Sequence, residues 1–174
     1  MIVQFIEIPA EGLQVQLTDT SWFPLADIPV SGEVQGTLFL ERDVGRVLAH
    51  GTIQYLQSLQ CDRCLENFNQ DRDVEFQVVL EYIPGVERPL EVSAEQEFDP
   101  TEEEVEYLSE PAIDVSNILR QQVFLSQPFK ALCREDCLGL CLQCGKNKNF
   151  GDCGCDNAPS DSPFQDLGRL FKSK

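Results

Sequence analysis

Eight cysteines carry the chemistry that can be read from this chain. Six fall within one short stretch, as Cys133-x3-Cys137-x3-Cys141-x2-Cys144-Gly145 followed by Cys153-x-Cys155, and the other two form Cys61-Asp-Arg-Cys64 far upstream. Eight thiols in such groups match the ligand count of two four-cysteine zinc sites, because zinc takes four soft or borderline ligands in a tetrahedron and a Cys-x2-Cys pair spans one edge of it. Gly145, directly after the second cysteine of its pair, frees the backbone to turn tightly and aim N–H groups at the sulfurs. Cys141, Cys144, Cys153 and Cys155 are therefore expected to form one site. The tight Cys-x-Cys is its weak point, and Cys133 or Cys137 could replace one of these ligands. If the first set is complete, Cys61, Cys64, Cys133 and Cys137 remain for a second, closing a loop of about 70 residues, where a crosslink restricts the unfolded chain most.

Two other readings of the thiols stay open. They could be free and buried, as unpaired cysteine often is. Cys61-x-x-Cys64 could instead be a redox pair, but such pairs sit where a strand meets a helix N-terminus, and here strand patterning lies on both sides. His50, the lone histidine, reads as a sheet-surface residue. With no open-site ligand pattern, neither catalytic zinc nor an enzyme is expected.

The elements that must position these thiols are mostly strands. Val34, Gly36, Leu38 and Leu40 share one parity, with Phe39 breaking the alternation; Asp43-Val-Gly45 supplies a turn. Val47, Ala49, Ile53, Tyr55 and Leu59 alternate with polar residues and lead into Cys61. Beyond Cys64 a second alternation runs through Phe68, Val74, Phe76, Val78, Leu80 and Tyr82. The pair Cys61/Cys64 is thus expected at the tip of a long antiparallel hairpin. The fold class is α+β: an antiparallel β-meander or partly closed barrel with a covering helix and a cysteine-rich zinc-binding tail. Residues 1–33 suggest only a short first strand and a loop. Residues 84–111 read as an acidic loop, and 114–127 as the covering helix, capped by Asp114, with Val115, Ile118, Leu119, Val123 and Leu125 on its apolar side. The core is then 1–128 and the tail 129–174. The tail closes with Ser162-Pro163-Phe164-Gln165 and Leu167, Leu170 and Phe171, the pattern of a short amphipathic helix.

At 174 residues the chain can bury one core, and its net charge of -17 is unevenly spread. From Glu87 to Glu110 ten acidic residues face Arg88 alone. All five lysines come after residue 129, and Lys130, Arg134, Lys146, Lys148, Arg169, Lys172 and Lys174 bring the tail near neutrality. These seven are the candidates for RNA contact, since only this part would not repel a polyanion. The first residues lack signal-peptide character and no apolar run reaches a membrane span, so a cytoplasmic protein with reduced thiols is expected.

The assembled motifs resemble the YceD-like family, the large ribosomal RNA subunit accumulation proteins. The resemblance rests on Cys61-Asp-Arg-Cys64-Leu65 after a long strand, Leu125-Ser-Gln-Pro128 leading to Leu132-Cys133, the block Cys133-x3-Cys137-x-Gly139-Leu140-Cys141-x2-Cys144-Gly145-x-Asn147, and Pro163-Phe164 with Leu167 and Leu170. Leu142 departs from it, standing where many relatives have proline. The resemblance implies a non-enzymatic factor needed for large-subunit ribosomal RNA to accumulate, acting on a large ribosomal subunit precursor. The charge favours a basic ribosomal protein or assembly factor as partner, with limited RNA contact from the tail. The alternatives are a zinc-ribbon protein that binds and protects ribosomal RNA directly, and a thiol oxidoreductase.

Overall fold

In the computed structural model of the chain, residues 1–17, 19–84 and 105–155 are described. The first strand, β1 (Ile2–Gln4), and β2 (Leu13–Gln16) flank a 3-10 turn; β3 (Gln35–Asp43), β4 (Arg46–Gln60), β5 (Asn67–Tyr82), β6 (Val105–Leu108) and β7 (Ala112–Asp114) follow, and α1 (Val115–Leu125) closes the set. One five-stranded sheet runs in the order β2-β3-β4-β5-β6, and a small separate sheet pairs β1 with β7.

The long hairpin dominates. Strands β4 and β5 pair antiparallel from Arg46↔Glu81 to Gln60↔Asn67, and the six residues between Gln60 and Asn67 carry Cys61 and Cys64 at the tip. Period-2 alternation makes this pairing specific, because a one-residue slip would turn the whole apolar set outward. Leu38, Leu40, Val47, Ala49, Ile53, Tyr55, Val74, Phe76, Val78 and Leu80 all enter one buried cluster with Val115, Ile118, Leu119 and Val123 of α1, so the helix covers this sheet face. Asp114 caps α1, its carboxylate accepting from the N–H of Ser116 and Asn117. Phe39 breaks the alternation of β3 because it lies on the opposite face, its ring 5.4 Å from that of its cross-strand partner His50.

Several expectations need correction. Of the two forms expected, the sheet takes the open meander over β2 to β5 and not the partly closed barrel, since β2 and β6 sit at opposite ends of the strand order. Nor is it purely antiparallel: Val105–Leu108, expected within a loop, forms a strand parallel to Val79–Tyr82. The rest of the acidic block, 85–104, lies outside the described residues. Residues 1–33 hold more than one strand and a loop, for Trp22, Phe23 and Ile28 are buried in the core, and the Phe23 ring stands edge-on to Tyr55 at 5.0 Å. Leu125 is 71% exposed although it falls on the apolar side by period. It is the last helical residue, and the core is closed there by polar groups instead.

Those groups fix where the tail begins. Gln127 donates from Nε2 to the Val123 carbonyl (2.8 Å) and to Tyr55 Oη (3.1 Å), while its Oε1 accepts from the buried Gln57 of β4. Arg72 of β5 donates to the Ser126 carbonyl. The Ser126-Gln127 turn is thereby latched to both strands of the hairpin, and the chain leaves the helix on a defined course. Among the described residues, no helix is long and apolar enough to cross a membrane.

Candidate metal centres

The hairpin tip and the first part of the tail are joined by hydrogen bonds before any metal is considered. Asp62 N–H donates to the Ala131 carbonyl (2.8 Å), and Ala131 N–H returns to the Asp62 carboxylate (2.7 Å). Leu140 N–H donates to the Arg63 carbonyl (3.1 Å), and the Arg63 guanidinium reaches the carbonyls of Glu135 (3.2 Å) and Cys137 (3.0 Å). Gly139, at φ 71°, lies so close to this strand turn that a Cβ would stand 3.0 Å from the Arg63 oxygen. The two spacer residues of Cys61-x-x-Cys64 are therefore the ones that grip the tail.

These contacts bring Cys61, Cys64, Cys133 and Cys137 together, and a second group forms from Cys141, Cys144, Cys153 and Cys155; within each group all sulfurs lie within 4.8 Å of one another. In the first, Cys61 Sγ is 3.8 Å from Cys137 Sγ, and Cys64 Sγ is 3.7 Å from Cys133 Sγ. A disulfide needs about 2.05 Å. A tetrahedron with Zn–S of about 2.3 Å has an edge of about 3.8 Å. The distances thus suit one tetrahedral ion, and they are too short for an iron–sulfur cluster, in which cysteines are spread over several irons. Each group can hold a metal ion. The first is enclosed, with Cys61, Cys64 and Cys137 buried against Phe68 and Leu132, whereas in the second Cys144 is exposed.

The electrostatics point the same way. Four sulfurs this close cannot all ionise without a cation among them, so each group divides. Burial raises the Cys61 thiol, but the N–H groups of Cys133, Cys64 and Arg63 outweigh it and bring the pKa down to about 6. Burial and the neighbouring sulfurs push Cys133 up to about 12. In the second group the N–H groups of Cys144 and Gln143 bring Cys141 down to about 6, and the sulfurs of Cys144 and Cys153 push Cys155 up to about 12.

The same backbone turn is used twice. Leu65 N–H donates to the Cys61 carbonyl (2.9 Å), as Gly145 N–H does to Cys141 (2.8 Å); Cys61 N–H donates to Glu66 (2.9 Å), as Cys141 N–H does to Lys146 (2.8 Å). Both turns need a left-handed residue after the second cysteine. Gly145 supplies it at φ 73°, but Leu65 does so at φ 61°, the one non-glycine with positive φ among the described residues. A Cβ at Gly145 would meet nothing within 4 Å, so Gly145→Ala isolates the backbone term. It should cost about 1 kcal/mol, read as an affinity of the second site for metal about fivefold lower in chelator competition. Leu65→Gly should change the first site by less than about twofold, because strain relief is offset by the greater freedom of the unfolded chain. The opposite ranking would show that φ does not govern these turns.

The candidate RNA-contact residues scatter. Lys130 is exposed. Arg134 pairs with Asp136 (3.3 Å) and Asn149, and Lys146 Nζ donates to the Asp152 carbonyl (2.9 Å). Lys148 is half-buried at the start of a 3-10 turn, Lys148–Phe150. Arg169, Lys172, Lys174 and the expected C-terminal helix lie outside the described residues. Two contributors were given no role by the sequence reading: Arg63, a spacer between ligands, and Asn149. The left-handed Leu65 could have been found by aligning the two Cys-x2-Cys pairs, which sets it against Gly145.

The model of the family described as "Large ribosomal RNA subunit accumulation protein YceD" matches residues 49–171, more than half of the chain. The chain is 28% identical over 162 residues, 83% of its length, to the Arabidopsis thaliana protein named "Large ribosomal RNA subunit accumulation protein YCED homolog 1, chloroplastic". It is 29% identical over 130 residues, 64% of its length, to the Zea mays protein of the same name. It spans 50% and 44% of those two relatives, about half of their length. No solved structure matches the chain.

Proposed function

The chain belongs to the family of large ribosomal RNA subunit accumulation proteins, and from that premise we propose that it is a non-enzymatic factor of large ribosomal subunit biogenesis, with zinc in both cysteine groups. The observation that carries this reading is the extent of the family match: residues 49–171 include the hairpin from Ala49 onward and all eight cysteines. Zinc suits four thiolates in a closed tetrahedron and brings no redox chemistry of its own, which fits a structural clasp. Its place of action is the cytoplasm, on large-subunit precursors.

A net charge of -17 argues for protein partners first. A phosphate backbone is repelled by such a surface, whereas a basic ribosomal protein or assembly factor is attracted to it. A direct RNA-binding role is supported by one specific feature: Phe129, beside Lys130, and Phe150, two residues after Lys148, are 111% and 75% exposed, and bases stack on such rings. A thiol oxidoreductase is the least supported, because Cys61, the thiol with the lowered pKa in the upstream pair, is fully enclosed.

Tagged protein is expected to co-sediment with large-subunit precursors and to crosslink there to a basic protein. On naked ribosomal RNA at physiological salt its gel shift should be weak. Tight RNA binding that persists after neutralisation of the acidic residues between Glu87 and Glu110 would replace the protein-partner reading with the RNA-binding one.

A further inference from the structure

Asn149 belongs by sequence to the second cysteine group and by contact to the first. It lies on the loop between Cys144 and Cys153, within the turn Lys148–Phe150, where its N–H is held by Asn147 Oδ1 at 3.0 Å. Its side chain nevertheless reaches back to the first group, with Nδ2 3.3 Å from Cys137 Sγ. The orientation of the amide is fixed by its other end: Oδ1 accepts from the N–H of Leu138 (2.8 Å) and from the Arg134 guanidinium (2.6 Å). With two donors on the oxygen, the nitrogen must face the sulfur. The loop is tied to the same region by its backbone, through Lys148 N–H to the Gly139 carbonyl (2.9 Å) and the bridge between Leu140 and Asn147.

We propose that the two metal sites are energetically coupled through Asn149, so that filling the second group raises the affinity of the first. An ion held by Cys141, Cys144, Cys153 and Cys155 fixes both ends of the loop 144–153. The loop then presents the Asn149 amide to Cys137 without a further loss of chain entropy when the first ion arrives. By linkage the effect is reciprocal: the first ion favours the second by the same factor. Asn149 is a positioning residue in this scheme, holding a ligand rather than serving as one. Such outer partners of metal ligands are commonly worth about 10- to 100-fold in affinity.

This inference rests on the reading of both groups as metal centres, and cobalt(II) separates the two claims. The full-length metal-free protein is titrated with cobalt(II) alone, following the thiolate-to-cobalt charge-transfer and visible bands. Two equivalents per chain are expected, taken up as a pair. In the double variant Cys153→Ser/Cys155→Ser, cobalt binding at the first site should weaken by about 10- to 100-fold. Asn149→Asp keeps the oxygen that accepts from Leu138 and Arg134 but removes the donor to sulfur. It should weaken the first site comparably and shift that site's charge-transfer band, a readout that a merely structural role would not move. Absence of tetrahedral thiolate bands in the parent protein would overturn the metal reading itself. Two independent equivalents in the parent, or a first site unchanged within twofold in Asn149→Asp, would overturn the coupling alone.

Discussion

Replacing Cys137 by serine should reduce bound metal from two ions per chain to one and release the tail from the hairpin tip while the sheet stays folded. Cys137 is 4% exposed and stands 3.8 Å from Cys61 Sγ, so the serine hydroxyl would occupy a closed site where it is un-ionised at neutral pH and a poor ligand. Apparent binding free energies of structural zinc sites are about 10–16 kcal/mol, and in such sites binding energy is folding energy. Losing one of four ligands therefore removes far more than the few hydrogen bonds between tip and tail can restore, at about 1 kcal/mol each. The apolar cluster between sheet and helix shares no residue with the buried thiol cluster, which is why the sheet should survive. Elemental analysis gives the ion count. Hydrogen exchange at Asp62, Ala131 and Leu140, whose amides bond across the junction, gives the release. Unchanged exchange at all three with one ion lost would mean that hydrogen bonding, not metal, holds the tail.

Gly51→Ala should be the most damaging single methyl group in the sheet. Gly51 has the inward parity of Ala49 and Ile53, between Leu38 of β3 and Phe76 of β5. A Cβ there would stand 2.1 Å from the Thr37 carbonyl oxygen and 3.1 Å from Phe76 Cζ. The first of these atoms is backbone of the neighbouring strand and cannot turn aside. The β3–β4 ladder must open, at a cost of about 3 kcal/mol, or a midpoint roughly 6–12 °C lower for a chain of this size. Gly36→Ala is the control. Its Cβ would meet Leu17 Cδ1, the far end of a flexible side chain, at 2.7 Å and backbone no closer than the Thr52 oxygen at 3.3 Å, so its thermal shift should be clearly smaller. Equal shifts would show that the ladder yields more easily than close backbone approach implies.

Gly51 also shows which parts of the fold the sequence could reveal. Alternation at Val47, Ala49, Ile53 and Tyr55, and again at Val74, Phe76, Val78 and Leu80, is a local signal, and it located the hairpin and its cysteine tip. The gap in that alternation at Gly51 was also visible, but its reason was not, because the carbonyl that forbids a side chain belongs to another strand. Val105–Leu108 was hidden for a similar reason. Its four residues follow an acidic run and gain their place only by pairing with β5, which no local pattern announces. Trp22 and Phe23 reach the core from a loop, where no period applies. In the tail, cysteine spacing suggested two groups of four thiols, and the structure draws the sulfurs into those two groups. Arg63 and Asn149, which act through a carbonyl and a sulfur distant in sequence, left no mark on the spacing at all.

The sequence separation across the clasp also has a meaning in time. Cys64 and Cys133 are 69 residues apart, and Cys61 and Cys137 are 76 apart. At synthesis rates of about 5–20 residues per second, the hairpin tip leaves the ribosome roughly 4–15 s before the second half of its thiol set. During that interval the sheet can pair while two neighbouring thiols wait, open to oxidation or to a stray ion. The clasp is therefore a late event in the life of a nascent chain, and its closure marks a molecule whose tail has been made.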